Sequence, residues 1–211
     1  MFDRIAVRYD LLNRIISLGL DVRWRRRAVA ALGLPAGSLV LDLACGTGDF
    51  CRELERAGHR AVGFDFSSQM LRAARVAAPL VRADVLAMPV RDGAAGGVTS
   101  GFALRNVADL EGFIAETARV LRPGGRVAFL EVSEPHSRLL RAGNRLWFGH
   151  AVPFIGGALS DREAYRYLPR SAAYLPPPDE LVLMLRRLGF PDAQSLPLSG
   201  GVAQLLVATR R

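Results

Sequence analysis

Residues 40–50, Val-Leu-Asp-Leu-Ala-Cys-Gly-Thr-Gly-Asp-Phe, constrain the fold more than any other stretch. The apolar residues with their aspartate predict the end of a buried strand. Gly-Thr-Gly predicts a turn, and Asp49 an acidic first turn of the helix that follows. A strand, glycine turn and helix in that order bring backbone N–H groups and the positive end of a helix to a small ligand. Gly46 and Gly48 allow the tight turn and the close approach, because neither has a Cβ. The spacing is Gly-x-Gly-x-x-Cys. Cys51 therefore takes the place of the third small residue of the dinucleotide fingerprint, which argues against a nicotinamide or flavin.

The rhythm of the chain around this stretch predicts an α/β fold. Asp3 can cap a helix carrying Ile5, Leu12, Ile15 and Ile16 that ends at Gly19, and a second helix covers about 21–32. Strands are expected at 38–43, 61–65, 80–83, 97–104 and 127–132. Between them come a helix ending near Gly58, one capped by Ser67 or Ser68 and broken by Pro79, and one opened by Asp109. Arg122-Pro123-Gly124-Gly125 reads as a turn. Strand–helix alternation of this kind makes a doubly wound, mostly parallel sheet with helices on both faces. The rhythm breaks over 135–176, which reads as an insertion covering the substrate site. A helix then ends at Gly189, and strands at 193–198 and 202–209, joined at Gly200-Gly201, form an antiparallel hairpin. The length of 211 residues fits one domain, with 1–34 as N-terminal helices.

The formal charge of +8 raises the question of nucleic acid. The chain has no lysine, so every basic residue apart from histidine is an arginine, and the high pI follows from a compositional bias. We therefore expect no nucleic-acid partner. Cys45 and Cys51 flank the glycine turn and read as small buried thiols, and no metal-ligand spacing appears. No apolar run is long enough for a membrane span and the first residues lack a secretory pattern, so a cytoplasmic protein is expected.

Two more acids sharpen the ligand. Asp65 ends the second strand, where a carboxylate can accept from both hydroxyls of a ribose. Asp84 lies at the end of the third, beside Val85, suited to an adenine edge. Three such strand ends at one edge of a parallel sheet point to a nucleoside ligand. Together they resemble the class I S-adenosylmethionine-dependent methyltransferases, with Ala44 in place of the first glycine of the loop. Leu-Arg-Pro-Gly-Gly at 121–125 and the terminal hairpin fit the same family.

The likeness narrows to the menaquinone and ubiquinone biosynthesis C-methyltransferases. It rests on Phe-Asp at 2–3, Arg-Tyr-Asp at 8–10, Ser-Leu-Gly at 17–19, Trp24-Arg25 and Gly-Phe-Ala-Leu-Arg-Asn-Val at 101–107. Leu-Glu-Val-Ser-Glu-Pro at 130–135, His150 with Pro153-Phe154-Ile155-Gly156, and Tyr-Arg-Tyr-Leu at 165–168 complete it. The resemblance implies S-adenosylmethionine held by Gly46, Thr47, Gly48, Asp65, Phe66, Asp84, Val85 and Gly101, with Tyr9 as a lid residue. It implies methyl transfer to a ring carbon of demethylmenaquinol or a close quinol. Transfer to carbon, oxygen or nitrogen of another small metabolite is the alternative.

That chemistry needs an aligned attack, exclusion of water, and donors that stabilise a phenolate-like oxygen. Arg105 and Asn106, just past the fourth strand, are the candidates to hold the quinol oxygen, against the alternative that they merely cap the turn into the next helix. His150 is the candidate proton acceptor by residue type. Tyr165 and Tyr167 are candidates to line the ring pocket. A polyprenyl quinol resides in the membrane, so the basic run Arg23, Arg25, Arg26 and Arg27 around Trp24 is read as a surface for anionic lipid, against the alternative of ordinary surface arginines. The pattern is also compatible with an oligomer.

Overall fold

Seven strands form one sheet in the computed structural model, which describes residues 14–135, 137–147 and 175–211. They are β1 (Leu39–Leu43), β2 (Arg60–Asp65), β3 (Leu80–Arg82), β4 (Ala95–Gly101), β5 (Leu121–Val132), β6 (Gln194–Leu198) and β7 (Ala203–Thr209). Their spatial order is β3-β2-β1-β4-β5-β7-β6. The pairs among β1 to β5 are parallel, and β7 runs antiparallel to both β5 and β6. The helices are α1 (Leu20–Leu32), α2 (Asp49–Arg56), α3 (Ser68–Ala73), α4 (Leu110–Val120), α5 (Arg138–Leu146) and α6 (Pro178–Arg187). The doubly wound sheet with its reversed C-terminal strands is the fold expected from the alternation.

Side-chain alternation explains why both faces are covered. Along β5, Val127 and Phe129 enter one core with Phe113 of α4 and Leu181 and Leu185 of α6, while Ala128 and Leu130 enter the other with Val29 and Leu32 of α1 and Leu54 of α2. Phe113 and Phe129 meet with ring centroids 5.5 Å apart. Burying a side chain of this size contributes about 1.5–3 kcal/mol.

Two predicted caps form. Ser67 Oγ accepts from Met70 N at 3.1 Å, and Asp109 Oδ1 accepts from Gly112 N at 2.8 Å. Three boundaries differ. α3 stops well before Pro79, because Ala74 turns to extended backbone (φ −63°, ψ 141°). The chain then passes the glycine loop, where the Val76 methyls lie 2.9 Å from the position a Cβ on Gly48 would take. β4 ends at Gly101 instead of 104, because Phe102 has φ +58°, which no strand tolerates. Residues 122–125, expected as a turn, are drawn into β5 across a register shift against β4 between Ala95 and Gly97.

Parallel strands place the ends of β3, β2, β1 and β4 along one edge. The strand order reverses between β1 and β4, which is where a doubly wound sheet opens a crevice. Among the described residues no helix is long and apolar enough to cross a membrane.

Candidate functional site

The crevice between β1 and β4 holds a small cleft, open to solvent, lined by Arg25, Asp42, Thr47, Asp49, Phe50 and Gly101 together with Ala44, Cys45 and Gly46. Its floor is the glycine loop. Gly46 and Gly48 have φ of +57° and +83°, so both need the freedom of glycine. A Cβ on Gly46 would meet no protein atom, whereas one on Gly48 would strike Val76. Ala44, where the family pattern has glycine, takes φ +52° and is held there at a steric cost. Thr47 is buried in the loop. Cys51 does the packing work of the third small residue: a Cβ on Gly63 of β2 would lie 3.0 Å from its Sγ and 2.8 Å from that of Cys45. Hydrogen bonding to Cys45, burial and the nearby Asp42 carboxyl all push the Cys51 thiol up, so it stays protonated.

Asp65 braces the loop. Its Oδ2 accepts from Gly46 N at 2.7 Å and its Oδ1 from Ser67 N at 2.8 Å. Phe66 is 68% exposed, with the Arg82 guanidinium 5.6 Å from its ring centroid. Asp84 lies just past β3 and folds its own turn, Oδ1 accepting from Leu86 N at 2.9 Å. Val85 beside it is half-buried. Asp65, Phe66, Asp84 and Val85 do not line the cleft itself; they stand along the same edge, over β2 and β3. Gly101 has no room for a side chain, since a Cβ would lie 2.7 Å from Phe50 Cε2.

Arg105 and Asn106 occupy a 3-10 turn after β4. The Arg105 guanidinium is ion-paired to Glu131, which is fully buried at the end of β5. Asn106 is exposed, and its Nδ2 reaches Phe102 O at 3.5 Å, the contact expected of a turn-capping amide. Tyr9, His150, Tyr165 and Tyr167 lie outside the described residues. Trp147 Nε1 donates to Ile16 O at 3.0 Å, which joins the start of the segment after β5 to the N-terminal segment.

Two residues enter the site unannounced. Asp42 is 1% exposed on the α1/α2 face of β1. Thr99 Oγ1 donates to its Oδ1 at 3.0 Å and Cys51 Sγ to its Oδ2 at 3.6 Å. Burial pushes its carboxyl up to about 7 against the pull of Thr99, Arg25 and Cys51. Arg25 was expected on a basic surface, but it is 6% exposed and points into the cleft. Its Nη1 donates to Asp21 Oδ2 at 2.5 Å and its Nη2 lies 3.4 Å from Asp49 Oδ2. The signal existed: Asp21, Arg25, Ala28, Val29 and Leu32 share one helical face, and all are buried. Arg23, Arg26 and Arg27 remain outside, with Arg26 Nε 3.0 Å from Glu53 Oε2.

With this edge in view, comparison with known proteins identifies its relatives. A model of the ubiE/COQ5 methyltransferase family matches residues 1–210. The chain belongs to this family. A demethylmenaquinone methyltransferase of Thermus thermophilus is 44% identical over 220 residues, covering the whole of both chains. One of Roseiflexus castenholzii is 42% identical over the whole of this chain and 92% of its own. A ubiquinone/menaquinone biosynthesis C-methyltransferase UbiE of Syntrophotalea carbinolica is 40% identical with the same coverage. Among solved structures, a SAM-dependent methyltransferase from Aquifex aeolicus superposes with a TM-score of 0.65 at 14% identity, over 91% of this chain and 92% of that one. The [4+2]-cyclase SpnF gives 0.66 at 16% over 90% and 81%. At such identity these neighbours speak for the fold alone, and the cyclase is a reminder that the fold does not name the reaction. As a ubiE/COQ5 family methyltransferase, the chain uses S-adenosylmethionine, and its described residues fit that group. The loop offers a cradle that a Cβ would fill at Gly46, beside the Asp65 carboxylate that accepts from Gly46 N.

Proposed function

We propose that this protein transfers a methyl group from S-adenosylmethionine to a ring carbon of demethylmenaquinol or a closely related quinol. The observation that carries the reading is similarity across the entire chain to proteins named demethylmenaquinone methyltransferase, at 42% and 44% identity. When bound, the cofactor supplies a methyl group already activated on a sulfonium. What remains for the protein is to bind, align and exclude water.

The loop of Gly46, Thr47 and Gly48 receives the cofactor, Asp65 holds the ribose, and Phe66, Asp84 and Val85 border the adenine. Gly101, kept bare by Phe50, leaves the floor of the cleft open towards the acceptor. Arg105 is held in one orientation by Glu131, so it acts on the quinol oxygen as a fixed positive charge and not as a proton acceptor. Asn106 offers a neutral donor at the rim. We assign the proton acceptor to His150, the ring pocket to Tyr165 and Tyr167, and the lid to Tyr9.

A lipid quinol also calls for contact with a membrane surface. The exposed Leu139 (82%), Leu140 and Leu146 of α5, set among Arg138 and Arg141, suit such contact. Arg23, Arg26 and Arg27 add charge for anionic lipid. The docking surface thus runs without Arg25.

Incubation with labelled S-adenosylmethionine and chemically reduced demethylmenaquinone tests the reading. Label in ring-methylated menaquinone supports it. Absence of transfer to any reduced quinone, with transfer to another metabolite, overturns it.

A further inference from the structure

The described chain carries one buried cation in its cleft to which the reading above gives no role. Arg25 reaches the cleft from α1, outside the sheet-and-loop frame that holds the other cofactor residues. It is not a spare charge stranded in the core. Asp21 and Asp49 flank it at 2.5 and 3.4 Å, and its guanidinium lies 5.9 Å from the Phe50 ring centroid and 5.7 Å from that of Phe102. Two acids and two aromatic rings fix the direction in which the guanidinium fork faces.

Those acids are already shared. Arg14 lies 3.7 Å from Asp21 and 4.0 Å from Asp49, and Arg52 lies 2.6 Å from Asp49. Among the described residues, then, Arg14, Arg25 and Arg52 meet only Asp21 and Asp49 in this cluster. Of the three arginines Arg25 alone lines the cleft, and Nη1 to Asp21 uses one of its five N–H donors. A preorganised guanidinium with spare donors and an excess of positive charge around it selects a planar anion, a carboxylate above all.

The strand order says which end of the ligand this is. Asp65 and Asp84 place the nucleoside over β2 and β3, and the loop after β1 lies between them and Arg25. A ligand laid along the edge from Asp84 through Asp65 and Gly46 presents its opposite end over β1 and β4, where Arg25 waits. We propose that Arg25 binds the α-carboxylate at the amino-acid end of the cofactor, an inference that rests on the S-adenosylmethionine reading above. Asp21 and Asp49 are positioning residues that aim it, and α1 thereby becomes part of the cofactor site and not merely a cover.

The test is a binding cycle by calorimetry, with S-adenosylhomocysteine and its decarboxylated analogue as probes on wild type, Arg25→Met and Arg25→Lys. Wild type should prefer the carboxylate-bearing ligand by about ten- to a hundredfold, the range for a charged hydrogen-bonded contact. In Arg25→Met that preference should vanish, both ligands binding alike, and Arg25→Lys should keep part of it. Arg25→Lys preserves a cation for Asp21 and Asp49, so it serves alone if the methionine variant does not fold. A preference unchanged in either folded variant overturns the proposal, as does equal weakening of both ligands, which marks a purely structural arginine. If wild type binds neither probe, the cofactor reading itself falls. If wild type binds both alike, only the role of Arg25 does.

Discussion

Arg25 and Arg105 invite comparison because their surroundings are nearly the same. Both side chains are 7% exposed, both are ion-paired, and both set a guanidinium against the ring of Phe102, at 5.7 and 5.9 Å. They differ in what else surrounds them. Arg105 faces Glu131, a fully buried acid whose Oε2 also lies 3.4 Å from the Arg105 backbone N and whose Oε1 accepts from Val132 N at 2.9 Å. That acid is woven into the backbone, and the pair holds the turn after β4 against β5. Arg25 shares its acids with two other arginines and fronts the cleft. Burial and pairing alone do not separate an arginine whose acid is fixed to the backbone from one whose acids are shared. The ownership of its partners does.

The comparison breaks first, and hardest, at Glu131. Glu131→Ala leaves Arg105 buried without its acid and should cost about 3–5 kcal/mol, read as a lowered midpoint in urea. Adding Arg105→Met should recover much of that loss, since a neutral pair removes the stranded charge. Asp21→Ala should cost only about 1–3 kcal/mol, because Arg25 keeps Asp49. Equal costs for the two acids would mean that Arg25 is as saturated as Arg105 and has no donor to spare for a ligand.

Asp42 separates the two arginines by pH, with a span of about 4 kcal/mol. Its carboxyl ionises near 3.8 when unfolded and about 7 when folded. Between these values the folded state holds a proton that the unfolded state has released, so stability falls as pH rises from about 4 to about 7 and then levels. Asp42→Asn should abolish that slope and be the more stable protein at pH 8. Arg25 is among the groups that hold the Asp42 carboxyl down. Arg25→Met should therefore carry the slope above pH 7, whereas Arg105→Met should leave it where it is. Thermal melts from pH 4 to 9 on the three variants and wild type decide this.

These two arginines also show how much of the molecule was legible in its sequence. The sheet, its reversed last strand, the loop and the two caps followed from local chemistry: apolar alternation, glycine spacing, and Ser67 and Asp109 ahead of apolar runs. Arg105 stands out in sequence because it sits beside Asn106 in a distinctive stretch, and it does lie past β4. What its sequence neighbours did not disclose was Glu131, which comes from another strand. In sequence Arg25 looks like one of four surface arginines, because charge runs are usually solvated. Only its helical register with Asp21, Ala28, Val29 and Leu32 turns it inward, and only the tertiary fold brings Asp49 to meet it. Asp42 reads in sequence as one more strand residue. A carboxyl among Val40, Leu41 and Leu43 had to be buried, and that is what moves its proton equilibrium. The boundaries that moved, at Ala74 and Phe102, were set by packing against the glycine loop and by one left-handed residue, neither of which leaves a pattern in composition.

The smallest expected effect lies in the backbone on the Arg25 side. Ala44 and Phe102 both take positive φ, +52° and +58°, close to the two sides of the cleft. At Phe102 the strain secures a ring that both arginines use, so relieving it with glycine would remove the ring as well. At Ala44 the only side chain at stake is a methyl. Ala44→Gly removes the left-handed penalty of about 1–2 kcal/mol and returns part of it as added freedom of the unfolded chain. The net gain should be about 0.5–1 kcal/mol, visible as a small rise in the thermal midpoint. Affinity for S-adenosylhomocysteine should stay within about twofold, since the loop already adopts the conformation that glycine prefers. A loss of affinity would show that the strained alanine stiffens the loop on which Arg25 and Asp65 converge, and that the Arg25 side of the cleft depends on that stiffness where the Arg105 side depends on a buried ion pair.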